Sequence, residues 1–245
     1  MRHDRRSVNC RVATLGIIGA MDEEIQLLLQ GLEATENFSY AGTSFSKGNF
    51  HGKEIVVCKS GVGKVNAAMT AQLLIDRFDI GAVWFTGVAG AVDPSLDIGD
   101  IVISSSCQQH DMDCSPLGYP VGVTPYQEVS DFPAYPPFIA LAQQACERIC
   151  TSSSYLTGRV LSGDQFIADS VLIKQFYEEM AGACVEMEGA AVAQVCYRND
   201  VPYVMLRSMS DKADGTASAN YSEFSVEAAS RSYEIIADML ANYKG

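Results

Sequence analysis

The sequence predicts a three-layer α/β/α domain around a central mixed, largely parallel twisted sheet. Short, nearly continuous apolar runs recur along the chain, and segments of helical period lie between or after many of them. Continuous apolar runs are typical of strands covered on both faces. Strands that alternate with helices favour parallel pairing. A chain of 245 residues, of which 48% are hydrophobic, is long enough to bury the core of one such domain.

The elements follow from these patterns in chain order. The apolar runs predict strands over residues 14–18, 54–58, 82–85, 100–104, 159–161, 184–187 and 203–207. The helical periods predict helices over 23–32, 64–78, 188–197 and 222–243, the last with Phe224, Ala228, Ile235, Met239 and Leu240 inward. We expect residues 1–13 to be a disordered tail and 14–245 a single domain. The proline-rich stretch 116–137 is the longest irregular region, which suggests a lid, an insertion or an interface.

Composition excludes several classes of function. The chain has 17 basic and 30 acidic residues, a formal charge of -13, which disfavours binding to nucleic acid or to an anionic membrane. No apolar run approaches the roughly 20 residues of a membrane helix. Eight cysteines are scattered without a CxxC pair, which indicates reduced core residues of a cytoplasmic protein. The segment 110–113 offers His and Asp side chains, but a polar loop explains it better, and we expect neither a metal nor a cofactor.

Glycines and carboxylates cluster where the predicted strands end, the place where open α/β sheets bind ligands. The glycine-rich ends match neither the dinucleotide fingerprint nor the phosphate-binding P-loop, so tight turns are the better explanation for them if no ligand is present. Converging carboxylates suit cleavage of a glycosidic bond, in which an acid protonates the leaving group and a carboxylate activates water. If the leaving group is a purine, the acid protonates N7 and must itself stay protonated. Raising an aspartate pKa by about 3 units for this purpose costs about 4 kcal/mol.

Five of these segments, taken in order, resemble the motif set of the bacterial 5'-methylthioadenosine/S-adenosylhomocysteine nucleosidases. They are GIIGAMDEE (16–24), SGVGKV (60–65), SGDQFI (162–167), VEME (185–188) and RSMSD (207–211). One segment alone would be weak evidence, but five in order are specific to this family or its near relatives. The resemblance runs from about Thr14 to the C-terminus and implies a nucleoside phosphorylase-like fold.

The resemblance also implies roles for individual residues. Asp211 is expected to be the general acid at adenine N7, oriented by Ser210. Glu24 is expected to activate the attacking water, with Arg207 beside it, and Glu188 to bind the ribose hydroxyls. The expected substrate-binding residues are Met21, Val62, Val88, Phe166, Ile167, Glu186, Met187, Ser210 and Tyr221, with Leu117 supplied by the partner subunit of a homodimer.

Each of these residues also has an ordinary structural explanation. The two glutamates can lie on the first turn of a helix and Asp211 can cap a turn, because negative charge is favourable there. Arg207 can be an ion-pair partner, and the apolar residues can be plain core. The chain also departs from the family pattern at two positions: Val88 stands where a serine is common, and Leu117 where an aromatic is common.

The function expected from the resemblance is hydrolysis of 5'-methylthioadenosine and S-adenosylhomocysteine, with 5'-deoxyadenosine as a further candidate, to release adenine. Three alternatives stay open. They are a phosphate-dependent purine nucleoside phosphorylase, a hydrolase of futalosine-type compounds and a non-catalytic adenosine sensor. A phosphorylase needs cationic groups for phosphate, whereas the loop after the first predicted strand offers Glu24.

Overall fold

A computed structural model describes residues 14–151, 153–213 and 217–244, so the predicted tail 1–13 lies outside the described residues. The strands are β1 (Thr14–Gly19), β2 (Glu33–Tyr40), β3 (Thr43–Phe50), β4 (Lys53–Lys59), β5 (Ile80–Ala91), β6 (Ile101–Gln109), β7 (Asp131–Pro133), β8 (Tyr155–Ser162), β9 (Gly182–Glu186) and β10 (Tyr203–Asp211). The helices are α1 (Asp22–Gly31), α2 (Lys64–Phe78), α3 (Pro136–Ile149), α4 (Ser170–Met180), α5 (Gly189–Arg198) and α6 (Ala217–Asn242).

The predicted three-layer architecture is confirmed. Helices α1, α3 and α6 cover one face of the sheet, where Trp84 and Ile236 belong to one buried apolar cluster. Helices α2 and α5 cover the other face, where Leu74 and Val192 belong to a second cluster. Because both faces are covered, the strands between them are apolar on both sides, which is why they were visible in the sequence.

Every predicted strand and helix is present, with ends that differ by a few residues. The elements that were not predicted are β2, β3, β7, α3 and α4. Strand β2 is almost entirely exposed and therefore carries no apolar pattern. Helix α4 was missed although it is amphipathic; of its residues only Phe176 is buried. Helix α3 begins at Pro136, because proline is well suited to the first turn of a helix; the irregular stretch therefore ends before residue 137.

Two hairpins join β2 to β3 and β3 to β4. Their two-residue turns, Ala41–Gly42 and His51–Gly52, have positive φ at both positions (48° and 79°, 50° and 77°). That backbone matches the twist of antiparallel strands. The turns lack the Asn-Gly or Asp-Gly pair that signals such a hairpin, so the sequence did not reveal them.

The sheet is mixed, as predicted, and part of it closes on itself. The strand order is β10-β6-β8-β9-β5-β1-β4-β3-β2, and β10 also pairs with β5. Among the described residues five strand pairings are parallel and five antiparallel. Strands β5 and β9 run antiparallel but overlap only at their carboxyl ends, where Gly90 pairs with Val185. This overlap brings the carboxyl ends of the two strands together. In an antiparallel pair that overlapped along its whole length, these ends would lie at opposite ends of the strands.

None of the helices described is both long and apolar enough to cross a membrane. The segment between β6 and α3 is largely irregular, with a short 3₁₀ helix at Ser115–Leu117 and the three-residue strand β7.

Candidate active site

A cavity of about 240 Å³ lies where the ends of β1, β5, β9 and β10 meet. Twelve of the fourteen residues expected at the site line it: Met21, Glu24, Val62, Val88, Phe166, Ile167, Glu186, Met187, Glu188, Ser210, Asp211 and Tyr221. The two that do not are Arg207 and Leu117. Five further residues complete the lining: Ala20, Ala89, Gly90, Gln165 and Val185.

Asp211 is the last residue of β10 and is only 2% exposed. Its Oδ2 accepts a hydrogen bond from the Ser210 hydroxyl at 2.8 Å, and its Oδ1 accepts the Ala213 N–H at 2.7 Å. The register between β10 and β5 shifts between Met209 and Asp211. Such an irregularity re-aims a side chain, and here Asp211 pairs with Gly90 on the cavity wall. A Cβ at Gly90 would lie 2.9 Å from Asp211 Oδ1, so the carboxyl needs a glycine there.

Glu24 lies in the first turn of α1 and is 4% exposed, so it is not a solvated helix-end charge. Its Oε2 accepts the N–H groups of Ala20 and Met21 at 2.6 and 3.1 Å. Its Oε1 accepts the Val88 N–H at 3.0 Å. Burial raises the pKa of Glu24, although Arg207 and these N–H groups act against the rise. A carboxylate with a raised pKa that still has a free lone pair can accept a proton from water.

Glu186 and Glu188 make different contacts at the start of α5. The Glu186 carboxylate accepts the N–H groups of Glu188 and Gly189 at 3.1 and 2.9 Å and so caps the helix. Because Glu186 supplies the cap, the Glu188 side chain is free to face the cavity, where it is 6% exposed. Its Oε1 accepts the Gly63 N–H at 2.7 Å. Burial and the neighbouring Glu186 carboxylate raise the pKa of Glu188 to about 8.

Arg207 lies behind the cavity wall. Its guanidinium is fully buried, donates to Glu186 Oε2 at 2.8 Å and stacks on the Phe85 ring at 4.0 Å. It also approaches Glu24: a Cβ at Gly87 would lie 2.6 Å from Glu24 Oε1 and 3.2 Å from Arg207 Nη1. Arg207 is therefore an ion-pair partner, as its ordinary structural explanation predicts. Its positive charge acts on Glu186 and Glu24 from behind the cavity wall.

The opposite side of the cavity is apolar and more open. Phe166 is 49% exposed, and its ring meets the Tyr221 ring edge-on with centroids 5.7 Å apart. The Tyr221 hydroxyl donates to Met21 Sδ at 2.9 Å. Val88 packs with Ala228 and Ala229 of α6. Leu117 lies outside this cavity, in the short 3₁₀ helix, and is 70% exposed.

Two residues that support the site were not singled out from the sequence. Ser162, at the end of β8, donates its hydroxyl proton to Glu186 and accepts the Ala190 N–H at 2.7 Å. Its position in the SGDQFI segment was the available signal. Gly90 was visible only as part of a glycine-rich strand end. In the described part of the chain, no three His, Cys, Asp or Glu side chains come together in a group that could hold a metal ion.

Comparisons with known proteins identify the family of this chain. The model of the phosphorylase superfamily matches residues 14–241. The 5'-methylthioadenosine/S-adenosylhomocysteine nucleosidase of Staphylococcus carnosus is 40% identical over 230 residues, which cover 92% of this chain and 98% of that protein. The solved nucleosidase of Neisseria meningitidis in complex with methylthio-immucillin-A superposes with a TM-score of 0.90 at 33% identity, covering 95% of this chain and 100% of that one.

A protein with a different substrate name is structurally just as similar. The futalosine hydrolase of Helicobacter pylori superposes with a TM-score of 0.89 at 34% identity, covering 95% of this chain and 99% of the other. The fold alone therefore does not separate these two kinds of hydrolase.

Proposed function

The chain belongs to the phosphorylase superfamily and, within it, to the 5'-methylthioadenosine/S-adenosylhomocysteine nucleosidases, and we propose that it hydrolyses the N-glycosidic bond of both nucleosides to release adenine. One observation carries the proposal: Glu24, Glu188 and Asp211 are all buried on the wall of one cavity, and none of the described residues that line it is Lys, Arg or His. Such a wall can activate water and cannot hold a phosphate dianion.

In the proposed reaction the Asp211 carboxyl gives its proton to N7 of adenine as the bond between N9 and C1' breaks. The bonding electrons pass into the purine, which leaves as neutral adenine, and C1' takes on oxocarbenium character. A water molecule attacks C1' from the face opposite the base and gives a proton to Glu24. The configuration at C1' is therefore inverted. Transfer of the proton from Glu24 through solvent back to Asp211 restores the enzyme.

The other residues at the site hold the reactants in this proposal. The Glu188 Oε2 is the oxygen left for the ribose hydroxyls, since Oε1 is engaged by Gly63. Phe166 stacks on adenine and Met187 packs under the sugar. Arg207 offsets part of the negative charge of Glu24 and Glu186 from behind the wall, an interaction that is strong because these groups are buried.

The apolar rim favours a thioether substituent at the 5' position. Met21, Val62, Val88 and Tyr221 offer alkyl, thioether and aromatic surface, which suits a methylthio or homocysteinyl group better than a phosphate. Val88 places an isopropyl group where a hydroxyl would interact with the sugar or the water. We expect this to weaken any preference for an unsubstituted 5'-hydroxyl.

A substrate panel tests the proposal. Methylthioadenosine, adenosylhomocysteine, adenosine, inosine and an adenine-bearing futalosine compound are each assayed for free base in phosphate-free buffer. We expect release of adenine from the two thioethers at the highest kcat/KM. Base release only after phosphate is added would favour the phosphorylase alternative. A futalosine compound as the best substrate would favour that hydrolase, and binding without turnover would favour the sensor.

We also infer a homodimer. Several apolar side chains of α2 and of the segment before β7 are exposed: Val65, Met69, Leu117, Val121 and Tyr126. Burial of such a surface against a second copy would be favourable, and it would leave Leu117 available to the partner's cavity. Sedimentation of the protein at micromolar concentration tests this, with Val65→Asp expected to shift the dimer towards monomer.

The cysteines support a reducing compartment such as the cytoplasm. All seven that the structure describes are free, and five of them are buried. Burial raises the pKa of Cys107 to about 12, so this thiol stays protonated and unreactive.

A further inference from the structure

A polar cluster beside the cavity joins three segments from different parts of the chain: the start of α2, the end of β6 with the residues after it, and the loop after β8. Lys64 Nζ donates to Asp111 Oδ1 at 2.6 Å and to Gln109 Oε1 at 3.0 Å. Asp111 Oδ2 accepts the Asp164 N–H at 3.0 Å, and Asp164 Oδ1 accepts the Lys64 N–H at 2.8 Å. Lys64, Asp111 and Asp164 thus form a closed ring of hydrogen bonds, which we call the clasp.

The clasp lies one residue from the contact that holds Glu188. Gly63, which donates its N–H to Glu188 Oε1 at 2.7 Å, directly precedes Lys64. Its φ of 96° is one that glycine adopts without strain. Gly63 offers no side chain to cap α2, so Asp164, from the loop after β8, supplies the acceptor for the first helical N–H. The direction of the Gly63 N–H therefore depends on Asp164.

The clasp lies equally close to the base-binding side of the cavity. Asp164 precedes Gln165, Phe166 and Ile167, which line the cavity. Asp164 is fixed through both its backbone N–H, which Asp111 accepts, and its side chain, which accepts the backbone N–H of Lys64. The same ring thus anchors the loop that carries the proposed stacking ring and the loop that carries the donor to Glu188.

We propose that Lys64 is a positioning residue. Through Asp111 and Asp164 it orients the Gly63 N–H towards Glu188 and fixes the position of the loop after β8, which carries Phe166. The sugar-binding carboxylate and the base-stacking ring are then held at a fixed separation by one ammonium group outside the cavity. This inference rests on the proposed function, because it assumes that Glu188 binds the ribose.

An ordinary ion pair predicts something different. The Lys64 and Asp111 side chains are partly exposed, and pairs of that kind contribute little to stability. If the clasp were only such a pair, its loss would lower the melting temperature slightly and leave kcat/KM unchanged. A positioning role predicts a loss of kcat/KM that depends on Glu188, since residues in one hydrogen-bond network have non-additive effects.

The test is a double-mutant cycle with methylthioadenosine and sensitive detection of released adenine. We expect Lys64→Met to lower kcat/KM about tenfold in the wild-type background and less than about twofold in the Glu188→Ala background. Asp111→Asn should behave in the same way. Lys59→Met is the matched control, because Lys59 pairs with Asp22 at 2.8 Å on the exposed surface nearby; it should leave kcat/KM unchanged.

Equal losses in both backgrounds, or no loss with Lys64→Met, would overturn the positioning role. Circular dichroism and melting temperatures exclude misfolding, and recovery of kcat/KM in Lys64→Arg would support a role for the cation itself. If the wild-type protein released no adenine at all, the proposed function would fail instead, and the two failures are therefore distinguishable.

Discussion

The inner wall of the cavity and its outer rim are built in different ways. The inner wall consists of Glu24, Glu188 and Asp211, which are at most 6% exposed and are held by backbone N–H groups. The outer rim includes Val62 and Phe166, which are 51% and 49% exposed. The wall is fixed by strand ends and helix starts, whereas Val62 and Phe166 lie on loops. The buried carboxylates therefore belong to the rigid scaffold, and these two rim residues belong to loops that tolerate change.

Loss of the proposed acid should have the largest effect. Asp211→Asn keeps an oxygen that can accept the Ala213 N–H but removes the transferable proton, so we expect kcat/KM to fall about 10⁴-fold. Asp200→Asn is the control, because Asp200 is exposed and its positive φ suits asparagine. Steady-state adenine release measures both. A kcat/KM of Asp211→Asn within about tenfold of wild type would contradict the role of Asp211 as the general acid.

Loss of the proposed base should rank second. Glu24→Gln replaces one acceptor oxygen by an NH₂ group facing backbone donors, and it removes the acceptor of the water proton. We expect kcat to fall about 10³-fold. Its neighbour Glu23 is exposed on the same turn of α1, so Glu23→Gln should keep wild-type kcat. Equal kcat values for the two variants would contradict the difference between wall and surface.

The pKa of Glu188 makes the inner wall sensitive to pH. The carboxyl titrates at about 8 in the folded protein, above its ordinary 4.5. Between those values the folded state binds the extra proton, so the unfolding free energy falls as pH rises, by up to roughly 1.4 kcal/mol per pH unit. Glu188→Gln removes this contribution. Urea unfolding at pH 5, 6.5 and 8 should show the variant gaining stability relative to wild type as pH rises, and a constant difference would refute the shift.

The rim should give the smallest effect. Phe166→Leu keeps an apolar side chain but loses the aromatic face, and we expect KM for methylthioadenosine to rise about tenfold with kcat nearly unchanged, the value of one base-stacking contact. Val171→Ala, an exposed substitution on α4, is the control. A fall of kcat comparable to that of Glu24→Gln would show that the rim takes part in the chemistry.

The layered fold was readable from the sequence because its central strands are buried on both faces. The hairpin of β2 and β3 was not, because β2 is almost entirely exposed and the turn lacks the usual residue pair. The cavity lining was readable from ordered motifs whose residues are local in sequence. The overlap between the carboxyl ends of β5 and β9 was not, since residues that pair across more than 90 positions of the chain leave no local pattern. The pairing of Arg207 with Glu186 depends on that same long-range closure.

The identity of the nucleophile tests the central claim most directly. Methylthioadenosine is turned over in ¹⁸O-labelled water with saturating inorganic phosphate, and the sugar product is analysed by mass spectrometry. A wall of carboxylates, with no cation among the described residues that line the cavity, predicts that the sugar gains one ¹⁸O at C1 and that no sugar phosphate forms. A 1-phosphorylated sugar without the label would show that phosphate, and not water, attacks in this cavity.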